Sequence, residues 1–504
     1  MANFFQSNDP DSIRRLRALV FVVLLALACA GTLRAQDSAA LPMAPSPQVE
    51  LALRATAGAQ SPAQTPQFGG GVIVEQATPG ALPLGLDDAI DRGVKHNLQI
   101  LLASETERAV RGQILGVFYN LLPNMKATAY TNTLEINLAA QGFKPSSLAG
   151  LGVKNFSEIV KVDTTAAQVS VDQVLFNLPD FYLYAAARKA ANVVSMNTLN
   201  ARGGVVQAVG TQYLAALADE AQIVNAQALV KADEEELRQA TESHDTGVGT
   251  NLDVLRARVQ LQTEQQVLVR DENTFAKDKI ALNRLIGLPA DQELTLTDAV
   301  PYAELAELPL DRAKALAYQR RKDLLELEAQ LEVAQRSRKA VKFERMPSLA
   351  FNGYYGVLGE TRGLYHGVFT AQGVVKIPIF EEARFRGESQ TVAAQEIALR
   401  HQIESLRVTI DAQIRASMLD VESSSELVKV ARSNVALATE ELADTRDRFA
   451  AGVDDNLQVV QAQATLAAAQ SRLINTEFQF NQSKLALARN TGVVETQYKQ
   501  YLGR

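Results

Sequence analysis

The hydrophobic positions of this chain follow a helical period of about 3.6 residues over most of its length and a strand period of 2 in four short stretches. Residues Leu84–Leu122 contain few helix breakers and predict a helix that stops before Pro123. A much longer helical pattern starts at Asp180, is interrupted by a turn at Gly247 and continues to Leu285. These stretches predict two kinds of helix, a short one before the strands and a long hairpin after them.

Alternating apolar and polar residues lie between the first helix and the long hairpin. Such alternation predicts strands with one apolar face and one polar face. The apolar positions are Met125, Ala127 and Ala129 in the first stretch and Ala167, Val169, Val171 and Leu175 in the second. About 35 polar and glycine-containing residues separate the two predicted strands.

The turn at Gly247 has a near copy 205 residues later, at Gly452. Residues 243–257 read SHDTGVGTNLDVLRA, and residues 448–462 read RFAAGVDDNLQVVQA. Pro123 has its counterpart in Pro347, 224 residues later, so the offset is larger before the strands than after them. These repeats predict a duplicated chain with about twenty extra residues between the first two strands.

The second half repeats the same order of predicted elements. Leu308–Arg345 predicts the short helix, and alternation predicts strands from Leu349 and from Phe369. Heptad spacing then marks both long helices, as expected for helices that pack as coiled coils. The heptad positions are Ala216, Ile223, Val230, Leu237 and His244, and, 205 residues later, Val421, Val428, Val435, Leu442 and Phe449.

The chain therefore divides into six predicted segments. They are a signal peptide (1–35), a flexible leader (36–83), a first repeat (84–287), a connector (288–308), a second repeat (309–492) and a C-terminal tail (493–504).

The N-terminal segment has the layout of a secretory signal peptide. Arg14, Arg15 and Arg17 precede the apolar run Ala18–Ala30, and cleavage is predicted between Ala35 and Gln36. Two alternatives stay open, an uncleaved anchor and a lipoprotein whose lipidated N-terminus is Cys29. All three interpretations send the chain across the inner membrane.

Composition and motifs exclude several classes of function. A net charge of −7 argues against nucleic-acid binding, and the single cysteine, Cys29, excludes a disulfide framework. The four histidines are scattered, and the chain has neither a phosphate-binding loop nor a nucleophile elbow. We therefore expect no catalytic residues, no cofactor and no metal site, and we do not expect an enzyme.

The four predicted strands, at about nine to eleven residues each, are long enough to cross a bilayer as tilted strands. Open strand edges are not tolerated in lipid, because unpaired backbone groups find no water there. Four strands are too few to enclose a useful pore. The sequence thus predicts a homo-oligomer that forms a membrane tunnel with long rods pointing away from it.

Residues 82–492 resemble the TolC-like outer-membrane efflux factor family. The resemblance rests on the junctions at Pro123 and Pro347, on VLF at Val174–Phe176, on IPIF at Ile377–Phe380, and on the two tips, of which GVDDNLQVVQAQ at Gly452–Gln463 is especially similar.

The resemblance implies a mainly helical fold with a β-barrel part. Three chains would share a twelve-stranded outer-membrane barrel and a coiled helical tunnel in the periplasm, with a mixed belt between them. It implies a passive efflux or type I secretion channel that docks to a periplasmic adaptor and an inner-membrane pump.

The resemblance also assigns expectations to the tips, which form the periplasmic entrance in the family. Asp253 falls where members often have an aspartate. Asp454 stands where some members carry a gate arginine, Gln458 and Gln461 replace aspartates that form constricting rings in some members, and Phe449 replaces a tyrosine, so a charged latch is not expected here. The hypothesis is a softer gate made by Phe449 packing and glutamine hydrogen bonds, the alternative for Gln458 and Gln461 being a solvated helix face. Turn and adaptor-docking roles are expected at Gly247, Gly249 and Gly452.

The alternative from another class is a periplasmic coiled-coil adaptor or structural protein without a pore. Adaptors carry one helical hairpin, whereas this sequence predicts two hairpins and paired membrane strands. The exported substrate and the class of pump stay open.

Overall fold

A computed structural model describes most of the chain from residue 70 onward. The described residues are 70–73, 79–137, 139–140, 159–247, 249–298, 303–305, 308–361, 363–451, 453 and 456–503. The predicted signal peptide, Cys29 and most of the predicted leader lie outside them, as do Gly452 and Asp454.

Helices and strands follow one order twice along the chain. The first half contains β1 (Leu82–Leu84), α1 (Leu86–His96), α2 (Leu98–Tyr119), β2 (Asn124–Asn137), β3 (Ile159–Phe176), α3 (Leu178–Asp245) and α4 (Asn251–Ile286). After β4 (Leu294–Leu296), the second half contains α5 (Leu310–Arg320), α6 (Lys322–Phe343), β5 (Ser348–Glu360), β6 (Tyr365–Lys376), α7 (Glu382–Ala450) and α8 (Asn456–Asn490), followed by α9 (Val494–Leu502). The predicted mixture of long helices and four long strands is confirmed.

Each predicted short helix is in fact two helices, which the sequence pattern did not predict. The first breaks at Asn97, whose backbone is extended and whose side chain accepts a hydrogen bond from the Gln99 N–H at 2.9 Å. The Leu98 N–H donates to the Gly70 carbonyl, so the new helix start keeps its donors satisfied. The second breaks at Arg321, the counterpart of Asn97, where the backbone is also extended.

The four long strands form one antiparallel sheet in the order β2-β3-β5-β6. Their lengths are 14, 18, 13 and 12 residues, so all four exceed the predicted nine to eleven. β2 and β6 are the outer strands, and each has one edge that no described strand of this chain pairs with. The sheet therefore has two edges of similar length whose backbone groups lack a partner strand among the described residues.

The long helices α3 and α7 have 68 and 69 residues. At about 1.5 Å per residue, each extends roughly 100 Å. α3 packs against α4, α8 packs against both α3 and α7, and α2 and α6 pack on the parts of α3 nearer the sheet. α4 and α7 are thus the outer helices of the layer that lies away from the sheet.

A buried belt joins the two halves midway along the helices. β1 pairs in parallel with β4, so the predicted connector contributes a strand, and the predicted tail contains the helix α9. In α9, Tyr498 and Lys499 contact the two carboxylate oxygens of Asp87, each at 2.7 Å. Three-residue strands and a nine-residue helix are too short to give a clear period, which is why the sequence did not predict them.

Asp298 ties the connector to this belt. One carboxylate oxygen, Oδ2, accepts from the Leu86 N–H at the start of α1 at 2.7 Å and lies 2.8 Å from the hydroxyl of Tyr213. That hydroxyl also lies 3.0 Å from the Leu84 carbonyl, and the Tyr213 side chain is fully buried. Asp298 therefore acts as a helix cap supplied from a distant part of the sequence.

No helix within the described residues is both long enough and apolar enough to cross a membrane.

Replacing Asp298 with alanine should destabilise the belt by about 2 kcal/mol, because α1 loses a charge-assisted cap and Tyr213 loses an acceptor. Circular dichroism should show a lower midpoint of thermal unfolding. The matched control is Asp311→Ala, since Asp311 lies in the first turn of α5 and is exposed. An equal decrease in the two variants would contradict the capping role of Asp298.

Candidate functional site

The sheet has one face that is apolar across all four strands. The register places Ala127, Val169, Tyr355 and Phe369 in one row, directly opposite one another. Because side chains alternate along a strand, the residues two positions away share this face. We call it the apolar face. The apolar positions predicted from alternation in each strand lie on this face, so the four predicted alternations agree on one apolar side of the sheet.

The opposite face is polar and is called the polar face. One row contains Asn124, Asp172, Asn352 and Gln372, and the next contains Lys126, Ser170, Tyr354 and Thr370. The sheet therefore separates two environments of different polarity.

Large side chains of the apolar face have no cover within the described chain. Phe369 is 77% exposed and Tyr355 is 71% exposed. Leaving such side chains in water forgoes about 1.5–3 kcal/mol each relative to burial. A contiguous exposed apolar surface of this kind marks a protein or membrane contact.

The apolar face is bounded at the end of the sheet that lies away from the helices. There the hydroxyls of Thr131 and Thr165 lie 3.0 Å apart, and farther out Glu135 lies opposite Lys161. The residues Ile159–Val162 of β3 pair with β2 only, so this hairpin extends beyond the other two strands. Charge and hydroxyl groups thus end the apolar face before the strands end.

The predicted junctions lie where helices lead into strands. Pro123 follows α2 and directly precedes β2, and Pro347 stands in the same relation to α6 and β5. A proline cannot donate the backbone hydrogen bond that would continue a helix, and it is tolerated just before a strand. The two prolines therefore mark equivalent points of the two halves.

A cluster of charges holds one junction together, and sequence reasoning missed it. Arg384, in the first turn of α7, contacts Glu344 at 2.9 Å, Glu388 at 3.0 Å and Glu381 at 2.6 Å. Burial raises the pKa of Glu344, and the hydrogen-bonded Glu388 raises it further, whereas Arg384 opposes both effects. The i−3 and i+4 spacing of Glu381 and Glu388 around Arg384 was a usable sequence signal.

The first tip is a tight turn between α3 and α4. Gly247 has a φ of +80°, and its N–H donates to the His244 carbonyl at 2.9 Å. The Gly249 N–H donates to the Ser243 carbonyl at 2.8 Å, where a side chain on Gly249 would crowd Ser243. Both glycines thus close the C-terminal turn of α3.

Asp253 lies at the start of α4 and takes part in a capping box. Its Oδ2 accepts from the Thr250 hydroxyl at 2.6 Å and from the Thr250 N–H at 3.2 Å, and the Thr250 Oγ1 accepts from the Asp253 N–H at 3.3 Å. Arg256 lies 3.7 Å from the other carboxylate oxygen of Asp253. The carboxylate is therefore occupied within its own helix turn.

The second tip lies between α7 and α8. Phe449, in the last turn of α7, is 41% exposed, and Gln458 and Gln461 are exposed on α8. Val459 and Ala462, on the other side of α8, are buried in a small cluster with Leu442 of α7. The two glutamines therefore share the exposed side of α8, close to the turn that Phe449 precedes.

The described residues contain no group of three or more His, Cys, Asp or Glu side chains arranged to hold a metal ion.

Comparisons with known proteins give consistent results. A family model described as outer membrane efflux protein matches residues 120–288 and 315–493. The probable efflux pump outer membrane protein TtgC of Pseudomonas putida is 24% identical over 274 residues, which cover 54% of this chain and 56% of TtgC. That alignment spans little more than half the length of TtgC.

Two further similarities cover more of the chain. The alkaline protease secretion protein AprF of Pseudomonas aeruginosa is 24% identical over 363 residues, or 68% of this chain and 72% of AprF. The crystal structure of the Campylobacter jejuni CmeC outer membrane channel superposes with a TM-score of 0.69 at 13% identity, covering 81% of this chain and 86% of CmeC. At that identity the superposition supports the fold.

The capping box makes a prediction about the first tip. Thr250→Ala removes an N-cap and should destabilise the first turn of α4 by about 1 kcal/mol. Hydrogen exchange of the first amides of α4 should then be about five times faster. Thr263→Ala, at an exposed position within α4, is the control and should leave these amides unchanged. Unchanged exchange in Thr250→Ala would contradict the capping role.

Proposed function

Because the chain belongs to the outer membrane efflux protein family, we propose that it is the outer-membrane channel of a tripartite efflux system. The channel provides a passive duct across the outer membrane and the periplasm for small toxic molecules, and a partner in the inner membrane supplies the energy.

The observation that carries this proposal is the four-stranded sheet with one apolar face, one polar face and two open edges. In lipid, the apolar face contacts acyl chains and the polar face lines an aqueous interior. From Leu349 to Val357 of β5, the apolar face extends roughly 27 Å along the strand, and a tilt of about 40° reduces this to a rise of about 21 Å, somewhat less than the apolar band of about 25 Å in such barrels. The Thr131–Thr165 row then lies at the outer interface.

The open edges call for further copies of the chain. Unpaired N–H and C=O groups are not tolerated in hydrocarbon, so β2 of one copy must pair with β6 of the next. Such a head-to-tail contact repeats until the ring closes. Three copies supply twelve strands, the arrangement of the homotrimer that the family resemblance implies.

The helices support the same arrangement. α4 and α7, the outer helices, carry exposed apolar stripes away from their partners within the chain. The stripe on α4 contains Leu252, Leu255, Val259, Val269 and Ile280, and that on α7 contains Leu419, Leu427, Val430 and Leu437. Pairing α4 of one copy with α7 of the next covers both stripes and continues the ring below the membrane. The two repeats, residues 84–287 and 309–492, then alternate around the tunnel, with the connector and tail in the belt.

The tips then form the periplasmic entrance. Phe449, Gln458 and Gln461 provide a gate of packing and hydrogen bonds, and the occupied carboxylate of Asp253 supports a gate without an Asp–Arg latch. The small residues Gly247, Gly249 and Gly452 let helices of a periplasmic adaptor approach the tips closely. The adaptor in turn connects the channel to the inner-membrane pump.

The ring proposal predicts the effect of charges in the stripe. Val259 and Val269 are 63% and 66% exposed in the single chain, and the double variant Val259→Glu, Val269→Glu should bury carboxylates at each contact between copies. We expect a loss of at least about 2 kcal/mol per contact and a shift from trimer to monomer in native mass spectrometry. The control Thr274→Glu adds a charge to an exposed side of α4 outside the stripe. A stable trimer in the double variant would contradict the proposed contact, and a monomeric wild-type chain would favour the alternative without a pore.

The gate proposal is tested by single-channel conductance. Phe449→Ala and Gln458→Ala should each raise the conductance of the closed state, because they remove packing and hydrogen bonds at the entrance. Gln482→Ala, at an exposed glutamine near the other end of α8, is the control. If neither Phe449→Ala nor Gln458→Ala changes the closed-state conductance, the gate lies elsewhere.

A further inference from the structure

Acidic side chains lie at heptad spacing between α3 and α4, where a coiled coil is normally apolar. We call this set the acidic seam. Its members are Asp219 and Asp233 on α3 and Glu264, Asp271 and Asp278 on α4. The apolar heptad positions of α3, such as Ala216 and Val230, are one of the two positions per heptad that face a neighbouring helix, and the acidic residues occupy the other, three residues later.

The two helices run antiparallel, which brings acids together in pairs. The Asp278 carboxyl lies next to the Asp219 carboxyl across the seam and raises its pKa, and Oδ2 of Asp219 is buried without a hydrogen-bond partner. Fourteen residues nearer the tip on α3, Asp233 faces Glu264 of α4. Asp233 is only 2% exposed, and its Oδ2 has no hydrogen-bond partner. Glu264 is 9% exposed and accepts from the Gln260 amide at 3.2 Å.

The charges that act on Asp219 and Asp233 are acidic as well. They are Asp271 and Asp278 for Asp219, and Glu264 and Glu236 for Asp233. Two carboxyl groups in contact and out of water cannot both hold a negative charge without a large cost.

One cation acts on the seam from its edge. Arg270 pairs with the seam member Asp271 at 3.1 Å and opposes the burial that raises the pKa of Glu264, but its side chain is 69% exposed. Lys279 lies over the ring of Phe275. Lys277 is exposed. On the α8 side, the Gln222 amide donates to the Ser471 carbonyl, and the only charged residue between Gln463 and Thr476 of α8 is Arg472, which is exposed.

The second hairpin provides an internal comparison. The positions 205 residues after the five seam members hold Ser424, Ala438, Ala469, Thr476 and Ser483. Ala438 is 4% exposed and thus as buried as Asp233, whereas Ser424, at 6%, is more buried than the half-buried Asp219. A hairpin of this fold therefore packs with small neutral residues, and packing alone does not require the acids.

We infer that the acidic seam makes the α3–α4 hairpin a proton-dependent zipper, closed when its carboxyl pairs share protons and loosened when they lose them. The α7–α8 hairpin lacks these pairs at its equivalent positions from Ser424 to Thr476. Farther along α8, burial lowers the pKa of Lys484 to about 8, so that end of the helix titrates on its own account. This inference concerns the two helices themselves and does not depend on the proposed transport.

The direction of the effect follows from the pKa values. Burial, followed by the charges of Glu264 and Glu236, raises the pKa of Asp233 from its ordinary value near 4 to about 7. Burial and Asp278 likewise raise the pKa of Asp219. Below about pH 4 these carboxyls are protonated whether the hairpin is closed or loosened, so pH has no effect there.

Between about pH 4 and 7, the closed hairpin holds protons that a loosened hairpin has lost, so its stability falls as pH rises. Above about 7 the carboxyls are charged in both states, and the full cost of burying them is present.

Hydrogen exchange of the full-length protein tests the zipper, with the second hairpin as a control in the same molecule. After division by the intrinsic exchange rates, amides of α3 and α4 around the seam should lose at least about tenfold in protection between pH 6 and pH 8.5. The equivalent amides of α7, and those of α8 up to Thr476, should not change; the amides around Lys484 are left out because its pKa of about 8 lies within the tested range.

Variants identify the groups responsible. Asp219→Asn with Asp233→Asn mimics the protonated pairs and should keep at pH 8.5 the protection that the wild type has at pH 6. If that variant does not fold, Asp219→Ser with Asp233→Ala introduces the residues of the second hairpin and should also remove the pH dependence. Glu234→Gln, at an exposed position of α3, should retain it. Equal protection of the wild-type seam at both pH values, or pH dependence that persists in the neutral variants, would overturn the inference.

Discussion

The unpaired backbone groups along β2 and β6 are the constraint on which the rest of this structure depends. An apolar face demands an apolar environment, and that environment offers no partner to a strand edge. Within the described residues the chain leaves both outer edges of its sheet unpaired, and in the proposed channel copies of the chain pair with them. The apolar stripes on α4 and α7 face the same problem in water, where the driving force is burial rather than hydrogen bonding. The open strand edges and the apolar stripes both lie on the outer elements of the chain, so one mode of association can pair the edges and bury the stripes.

The sheet and the rods are coupled through a few specific contacts. At the end of the sheet near the helices, Arg384 pairs with three carboxylates at the end of α6 and the start of α7, and so links these two helices. Midway along the helices, Asp298 and Tyr213 lock the connector to α1 and α3. Between these points α3 packs mainly through alanine and valine, whose small side chains allow close approach, whereas α7 packs through Ile403, Ile410 and Ile414. Each long hairpin is thus held by contacts at the sheet and at the belt. At its tip, the turn between its two helices holds it together.

The sequence was most informative where a pattern was long or repeated. Alternation located all four strands and both faces of the sheet, and the offset between Gly247 and Gly452 located the two hairpins. The breaks at Asn97 and Arg321 were missed because a single extended residue barely disturbs the helical period. The strands β1 and β4 were missed because three residues carry no period, and the buried Asp298 cap depends on a contact between residues far apart in the chain. The acidic seam follows the same heptad spacing, but its residues on α3 lie three positions after the apolar residues from which the coiled coil was predicted. The roles of Phe449, Gln458 and Gln461 stay predictions, since a gate depends on contacts between copies.

The duplication has one asymmetry with a consequence at the opposite end of the molecule from the tips. The β2–β3 hairpin continues past the other two strands, so Ile159–Val162 rise above the level at which β5 and β6 turn. In a ring of identical chains, the longer β2–β3 hairpins and the shorter β5–β6 hairpins then alternate around the rim. On the inner side of each longer hairpin, Leu134 and Ile136 lie opposite Val162 and Val160. In the proposed channel, the described part of each longer hairpin would therefore place these apolar side chains above the polar rows of the inner face.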